Sequence, residues 1–413
     1  MRAEKGTIVI IGAGPAGSIA AALLNNKGYR TVILERDAFP RFSIGESLLP
    51  QCMEFIEQAG MLDAVRNAGF QLKDGAAFLC QDKQCEFWFA DKFTSGFDST
   101  YQVQRDRFDA LLAAEAQRMG VDIRWRQEVV EADFSGEQAV LTVKARDGED
   151  CYRMTADFVL DASGFGRVLP RLLDLEKPSG FPVRQAVFTH IEDRIDDPRY
   201  DRNKIRIIVH PELTDVWYWL IPFSNGRCSL GVVGEAKILK VPEREPQAVL
   251  KQFVDAEPGL SALLHHAVFD SPVNSIGGYS ANVKSLYGKG YALLGNAGEF
   301  LDPVFSSGVT IAMKSASLAA EVLDRQLCGM AVDWQKEFAE PLQKGVDTFR
   351  TFVSSWYDGG LQDVVLYQQQ QQQPNIKAMI CSILAGYVWD ENNPYVKNSG
   401  PRLKTLVELC REP

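Results

Sequence analysis

The sequence predicts an α/β protein with a Rossmann-like nucleotide-binding fold, an inserted β-sheet domain and a helical C-terminal region. Three observations lead there. A β-branched run at 7–11 passes through Gly12-Ala-Gly-Pro-Ala-Gly17 into an Ala/Leu-rich helix ending near Gly28, then into a second strand at 31–34. That is the βαβ spacing of a buried parallel sheet. Residues 172–275 are rich in strand patterns, and the chain from 334 onward reads mainly helical and aromatic.

The remaining elements follow in order. Residues 51–69 read as one helix, with apolar positions at Met53, Ile56, Ala59 and Leu62. Residues 75–89 look extended and aromatic, and 108–118 helical, introduced by Asp106. Between 122 and 160 apolar residues alternate (Ala139, Leu141, Val143, then Phe158, Leu160), as in a β-meander closing on Asp161-Ala-Ser-Gly164. Strands are expected at 205–209, 216–221, 228–233 and 291–295, and a long apolar helix at 308–327. The six-glutamine run at 368–373 reads as helix surface or a loop tip.

Composition sets the outer bounds. At about 100–200 residues per domain, 413 residues suggest two or three domains. With 46% hydrophobic and 24% charged residues the chain is neither disordered nor fibrous. A formal net charge of −10 argues against a nonspecific grip on nucleic acid or an anionic membrane. Eight cysteines without a CxxC pair, and only four histidines, argue against a disulfide framework or a His/Cys metal site. Reduced thiols in a cytosol fit best. The uncharged stretch 6–26 mimics a signal peptide or membrane anchor, but its four glycines and proline suit a strand, turn and helix better.

The glycine turn carries the first chemistry. After a strand and before a helix, GxGxxG offers backbone N–H groups and a helix dipole to a pyrophosphate, and glycine is required where a side chain would block its approach. Gly12, Gly14, Ala16 and Gly17 form that turn; Glu35, at the end of the second strand with Arg36 beside it, is placed to accept hydrogen bonds from a ribose diol. FAD and NAD both use this motif, and the distal sequence separates them.

Gly295-Asn-Ala-Gly-Glu-Phe-Leu-Asp-Pro303 resembles the second flavin-contact motif of FAD-dependent monooxygenases of the glutathione-reductase type. The resemblance implies flavin contacts from Asn296 and Asp302, although that family usually carries Asp where this chain has Asn296. Gln102-Val-Gln-Arg105-Asp-Arg-Phe108-Asp resembles the family's R..FD..L segment, which implies Arg105 near the flavin; a helix-entry salt bridge is the alternative.

Gly45-Glu-Ser-Leu-Leu-Pro50, Trp217-Tyr-Trp-Leu-Ile-Pro222 and Asp302-Pro-Val-Phe-Ser-Ser-Gly308 together resemble the flavin-dependent halogenases, from residue 1 to about 330. The resemblance implies that reduced FAD and O₂ convert chloride or bromide into hypohalous acid, which travels to a separate pocket. It places Ser47 and Val309 at the flavin, and the halide at Ser306, Ser307 and Gly308, whose backbone N–H groups open a helix. Trp217, Trp219, Ile221, Pro222 and Phe305 would separate substrate from flavin. Lys73, in Gly69-Phe-Gln-Leu-Lys-Asp-Gly75, would hold the electrophilic halogen; the plain alternative is a solvated lysine beside Asp74. A lysine suits that role because its stem is flexible and its pKa falls on burial.

One departure bears on substrate. Tryptophan halogenases carry a glutamate immediately before the halide-site serine, where this chain has Phe305. An indole would lack its proton acceptor, whereas a phenol or pyrrole releases its own proton. Members with this departure often act on phenolic or pyrrolic substrates, some tethered to carrier proteins. No second GxGxxG occurs, so reduced FAD is expected from a separate flavin reductase. The motifs interleave, giving a discontinuous flavin domain (1–75, 101–171, 276–333), a substrate domain (76–100, 172–275) and a helical region (334–413). A flavoprotein hydroxylase or reductase, and an inactive accessory flavoprotein, are the alternatives on the same scaffold.

Overall fold

Lys5–Ile11 lies at the centre of a parallel sheet, with Phe158–Asp161 on one side and Tyr29–Glu35 on the other. A strand covered on both faces must be apolar throughout: Ile8 and Ile10 join one buried cluster, Val9 and Ile11 another. This is a computed structural model; it describes residues 5–148, 150–367 and 374–411, so the glutamine run at 368–373 lies outside the described residues. Pro15–Asn26 connects the first two strands and packs against Ser307–Leu327. Tyr291–Leu293, Tyr287–Gly288 and Asp122–Trp125 complete the six strands, only the Tyr287–Gly288 pairing being antiparallel. The 6–26 stretch is therefore strand, turn and helix, and among the described residues no helix is long and apolar enough to cross a membrane.

A second sheet of seven strands stands beside the first, in the order Asn274–Gly277, Arg184–Glu192, Arg227–Glu235, Trp217–Pro222, Lys204–Val209, Gly75–Cys80 and Lys83–Trp88. Because side chains alternate along a strand, Trp217, Trp219 and Ile221 face the large cluster shared with the flavin fold. Tyr218 and Leu220 face a separate one. A three-stranded meander (Gln127–Asp133, Ala139–Ala145, Cys151–Ala156) packs on the first sheet through Val129, Leu141 and Val143; it is shorter than the expected 122–160, because Asp122–Trp125 and Phe158–Asp161 are parallel strands of the first sheet.

Two further expectations need correction. The helix expected over 51–69 is two, Cys52–Gln58 and Leu62–Asn67, because Gly60 adopts φ 78° and ends the first. The strand-rich 172–275 segment also contains the helices Pro246–Ala256 and Pro258–Leu263. Each starts on a proline, whose fixed φ suits the first helical turn. Val249, Leu250, Phe253 and Val254 form the buried helical face of the first. Beyond residue 334, Glu340–Tyr357 buries Leu342, Val346, Phe349, Val353 and Trp356 in the cluster that contains Ile8 and Phe158.

Candidate active site

A cavity of 560 Å³ runs between the two sheets, from Glu35 and Arg36 to Trp217, Trp219 and Ile221. That is an ordinary size for a small-molecule site. At its nucleotide end the glycines differ in what they require. A Cβ on Gly17 would lie 1.9 Å from the Gly12 carbonyl oxygen, and Gly12 has φ 99°, so the turn itself demands both. A Cβ on Gly14 would meet nothing closer than the Arg41 guanidinium at 3.7 Å. The protein's own packing does not require that glycine, and its face is open to the cavity.

Glu35 is buried at the end of its strand, accepting from Ala13 N at 2.8 Å and Asp37 N at 3.0 Å. It fixes the turn while lining the cavity. Ala16 lines the cavity, whereas Gly17 packs beneath the turn. Arg36 lines it beside Asp37, 3.4 Å away. Arg105 makes the salt bridge that its alternative reading expects. It forms a two-pronged pair with buried Asp109 (2.7 and 2.9 Å), donates to the Ile44 carbonyl at 2.7 Å, and lines the cavity.

Toward the far end, Ser47, Asn296, Ser306, Gly308 and Val309 line the wall. The Ser47 hydroxyl is buried without a protein partner, a cost normally relieved by a ligand or water. Ser306 has φ 55° and sits before the Ser307–Leu327 helix, but its hydroxyl makes no capping bond. Ser307 is buried, and Phe305 packs edge-on against Trp356 with ring centres 6.0 Å apart. Phe305, Pro222, Asp302 and Ser307 do not line the cavity.

Asp302 is turned into the protein instead. It accepts from Tyr357 OH at 2.9 and 3.0 Å and from Tyr279 OH at 3.5 Å. Trp217 Nε1 donates to Tyr357 OH at 2.9 Å, and the Arg184 guanidinium stacks on the Tyr357 ring. Burial pushes the Asp302 pKa up to about 6, against the pull of the Val304 N–H and Tyr357. The direct flavin contact expected of Asp302 is therefore replaced by support of the wall that carries Trp217.

Lys73 is 1% exposed, which removes the solvated alternative; Asp74 pairs with Lys204 at 3.2 Å. Gln71–Lys73 pairs with Thr100–Gln102, placing Lys73 opposite Thr100. Its Nζ donates to the Leu48 carbonyl at 2.7 Å and lies 5.4 Å from the centre of the Phe89 ring. Burial lowers its pKa from 10.5 to about 7. It lies outside the cavity lining, and its acceptor Leu48 directly follows Ser47, which lines it. Glu46, Phe188, Tyr279 and Tyr357 were not expected at the site. Glu46 lay within a motif, and the other three carry no local pattern.

The residues at both ends fit FAD: a bare backbone turn for a pyrophosphate, an acid for a ribose, and an orphaned Ser47 hydroxyl near the far end. Comparison with known proteins agrees. Residues 5–334 match the FAD binding domain family. The chain is 31% identical to the flavin-dependent halogenase armH3 of Armillaria mellea over 355 residues, covering 78% of this chain and 68% of that protein. The chain belongs to the flavin-dependent halogenase family.

Within that family the chain spans 66% of the length of armH1 from the same fungus. It is 26% identical to the 1H-pyrrole-2-carbonyl-[peptidyl-carrier protein] chlorinase of Pseudomonas fluorescens, covering 97% of this chain and 92% of that protein. Among solved structures, a flavoprotein/dehydrogenase from Cytophaga hutchinsonii shares 44% identity over 99% of both chains, with a TM-score of 0.94.

Proposed function

We propose that this protein halogenates an electron-rich aromatic, a phenol or pyrrole, through hypohalous acid delivered to Lys73. Bound FAD, in its reduced form, would supply the two electrons that activate O₂. The protein's own residues do the rest. Gly12 to Gly17 and Glu35 bind the nucleotide, and Ser47, Arg105, Asn296 and Val309 surround the remainder. Backbone N–H groups at Ser307 and Gly308 attract a halide at the helix N-terminus. Trp217, Trp219 and Ile221 wall the cavity so that an organic substrate cannot lie against the flavin, with Pro222 and Phe305 packed behind them. Lys73 is the observation that carries this reading. A buried amine with a pKa near 7 is half neutral at physiological pH, so it can accept a hydrogen bond from hypohalous acid or take up the halogen. With Phe305 in place of a carboxylate, the ring must release its own proton, which a phenol or pyrrole does.

The Pseudomonas relative's name gives a carrier-protein-bound pyrrole as its substrate, so carrier-bound substrates belong in the trial set; a separate flavin reductase would supply reduced FAD. The test incubates the protein with reduced FAD, O₂, bromide and either an activated phenol or a pyrrole-2-carbonyl thioester. Brominated product dependent on bromide and Lys73 is expected. A second reading is a flavoprotein hydroxylase or reductase on the same scaffold, and the name of the Cytophaga protein, a flavoprotein/dehydrogenase, adds a dehydrogenase to it. Oxygenated or dehydrogenated product formed without halide would establish it in place of the first.

A further inference from the structure

Glu46 and His190 meet 2.7 Å apart at the far end of the cavity, although 144 residues separate them in the chain. Glu46 is buried and lines the cavity next to Ser47. Its backbone carbonyl accepts from Val103 N at 2.7 Å, which fixes the carboxylate's origin. His190 lies in the Arg184–Glu192 strand with its side chain 18% exposed, so part of it remains accessible to solvent. Phe42 and Phe223 pack edge-on against the ring, with centres 5.7 and 5.2 Å away. The other carboxylates lining the cavity, Glu35, Asp37 and Glu128, belong to the nucleotide end. A buried acid joined to a partly exposed base is a path from solvent to the far end of the cavity.

We propose that Glu46 and His190 form a proton-delivery pair for that end of the cavity. The inference rests on the halogenation reading. Converting halide and O₂ into hypohalous acid and water takes two electrons and three protons. A reduced flavin carries two of those protons, and the third must come from outside. His190 takes it from water, passes it from Nε2 to Glu46 Oε1, and Glu46 releases it into the cavity; water then reprotonates His190. Glu46 faces the reacting species, and His190 acts through it as a positioning and supply residue. Three charged groups face the imidazole: Glu46 from the 45–48 segment, Arg227 from Arg227–Glu235, and Asp106 from Arg105–Arg118. Burial pulls the imidazole pKa down, but the Glu46 hydrogen bond and charge outweigh it and leave the pKa raised. The pair therefore holds its proton to higher pH than an ordinary histidine does, and empties as pH rises further.

The test compares FAD-loaded wild-type protein with His190→Asn, Glu46→Gln and, as a surface control, His265→Asn. Histidine NMR titration of the flavin-free protein should show His190 titrating above its ordinary range, and Glu46→Gln should move it back. In turnover, halide-dependent product formation by wild type should fall at high pH, in step with that titration. His190→Asn should be about 100-fold slower, with a flattened pH profile, unchanged FAD affinity and partial rescue by added imidazole. If either variant fails to fold, the other variant and the wild-type titration still decide the outcome. Wild-type rate and pH profile in His190→Asn, or in Glu46→Gln, would overturn the pair alone. Wild-type protein that makes no halide-dependent product would overturn the halogenation reading, and this inference with it.

Discussion

At the nucleotide end of the cavity the ligand-facing surface is backbone, shaped by Gly12, Gly14 and Gly17 and braced by one acid, Glu35. At the far end it is side chains: the tryptophans of 217–222, orphaned Ser47, the Glu46–His190 pair, and beyond the wall a lysine that burial holds near pKa 7. A backbone turn recognises any pyrophosphate and is set by a few neighbouring residues. A wall of side chains depends on partners drawn from the whole chain. Binding should therefore be lost by local changes at the first end, while chemistry is lost by deleting single functional groups at the second.

The largest expected effect separates the two ends most sharply. Lys73→Met should lower halogenation by about 10²–10⁴-fold while FAD affinity, followed by flavin fluorescence, is unchanged. The same variant should be more stable than wild type. Because the folded pKa lies near 7, below the ordinary 10.5, the cost of burying the charge is full below pH 7 and shrinks as pH rises toward 10. Denaturant titrations should thus show a larger gain at pH 6 than at pH 9, offset by about 1 kcal/mol for the orphaned Leu48 carbonyl. An equal gain at both pH values would mean that Lys73 is not held as described.

Gly14→Val tests the other end. The added methyls should weaken FAD binding by about 10–100-fold, with the melting temperature of the flavin-free protein unchanged, since only ordinary contacts await a Cβ there. Gly17→Ala, by contrast, should destabilise the protein itself by about 1–3 kcal/mol, because its Cβ meets the Gly12 carbonyl oxygen. Smallest is Tyr357→Phe. Removing the hydroxyl shared by Asp302 and Trp217 should cost about 1–2 kcal/mol in denaturant titration, raise the Asp302 pKa further and leave FAD affinity untouched.

The same contrast governs what could be read in advance. The βαβ turn, the alternation of Trp217, Trp219 and Ile221, and the helix after Gly308 are local patterns, visible in a few consecutive residues. The break at Gly60 and the proline-started helix at 246–256 were masked by apolar runs compatible with a continuous helix or with strands. Glu46 stood in a motif, but its partner His190 lies in a strand whose sequence marks no site, and only folding brings the two together. Tyr357 is further removed: its hydroxyl reaches Asp302 and Trp217 from a helix outside every motif. Asp302 lies beside the Ser306–Gly308 turn, yet its carboxylate is turned toward the tyrosines rather than the cavity, a choice of rotamer that spacing does not encode.

The match to the FAD binding domain family stops at residue 334, while the buried cluster begun at Ile8 continues through Phe349 and Trp356 to Val407. The boundary of the matched domain is thus not a boundary of the buried core. A fragment cut at 334 would keep every residue that lines the cavity and still leave the Trp217 indole and the Asp302 carboxylate without Tyr357, beside a large bare apolar face. Segment exchange between relatives would have to move the 340–357 helix together with the 217–222 strand, as one inherited unit.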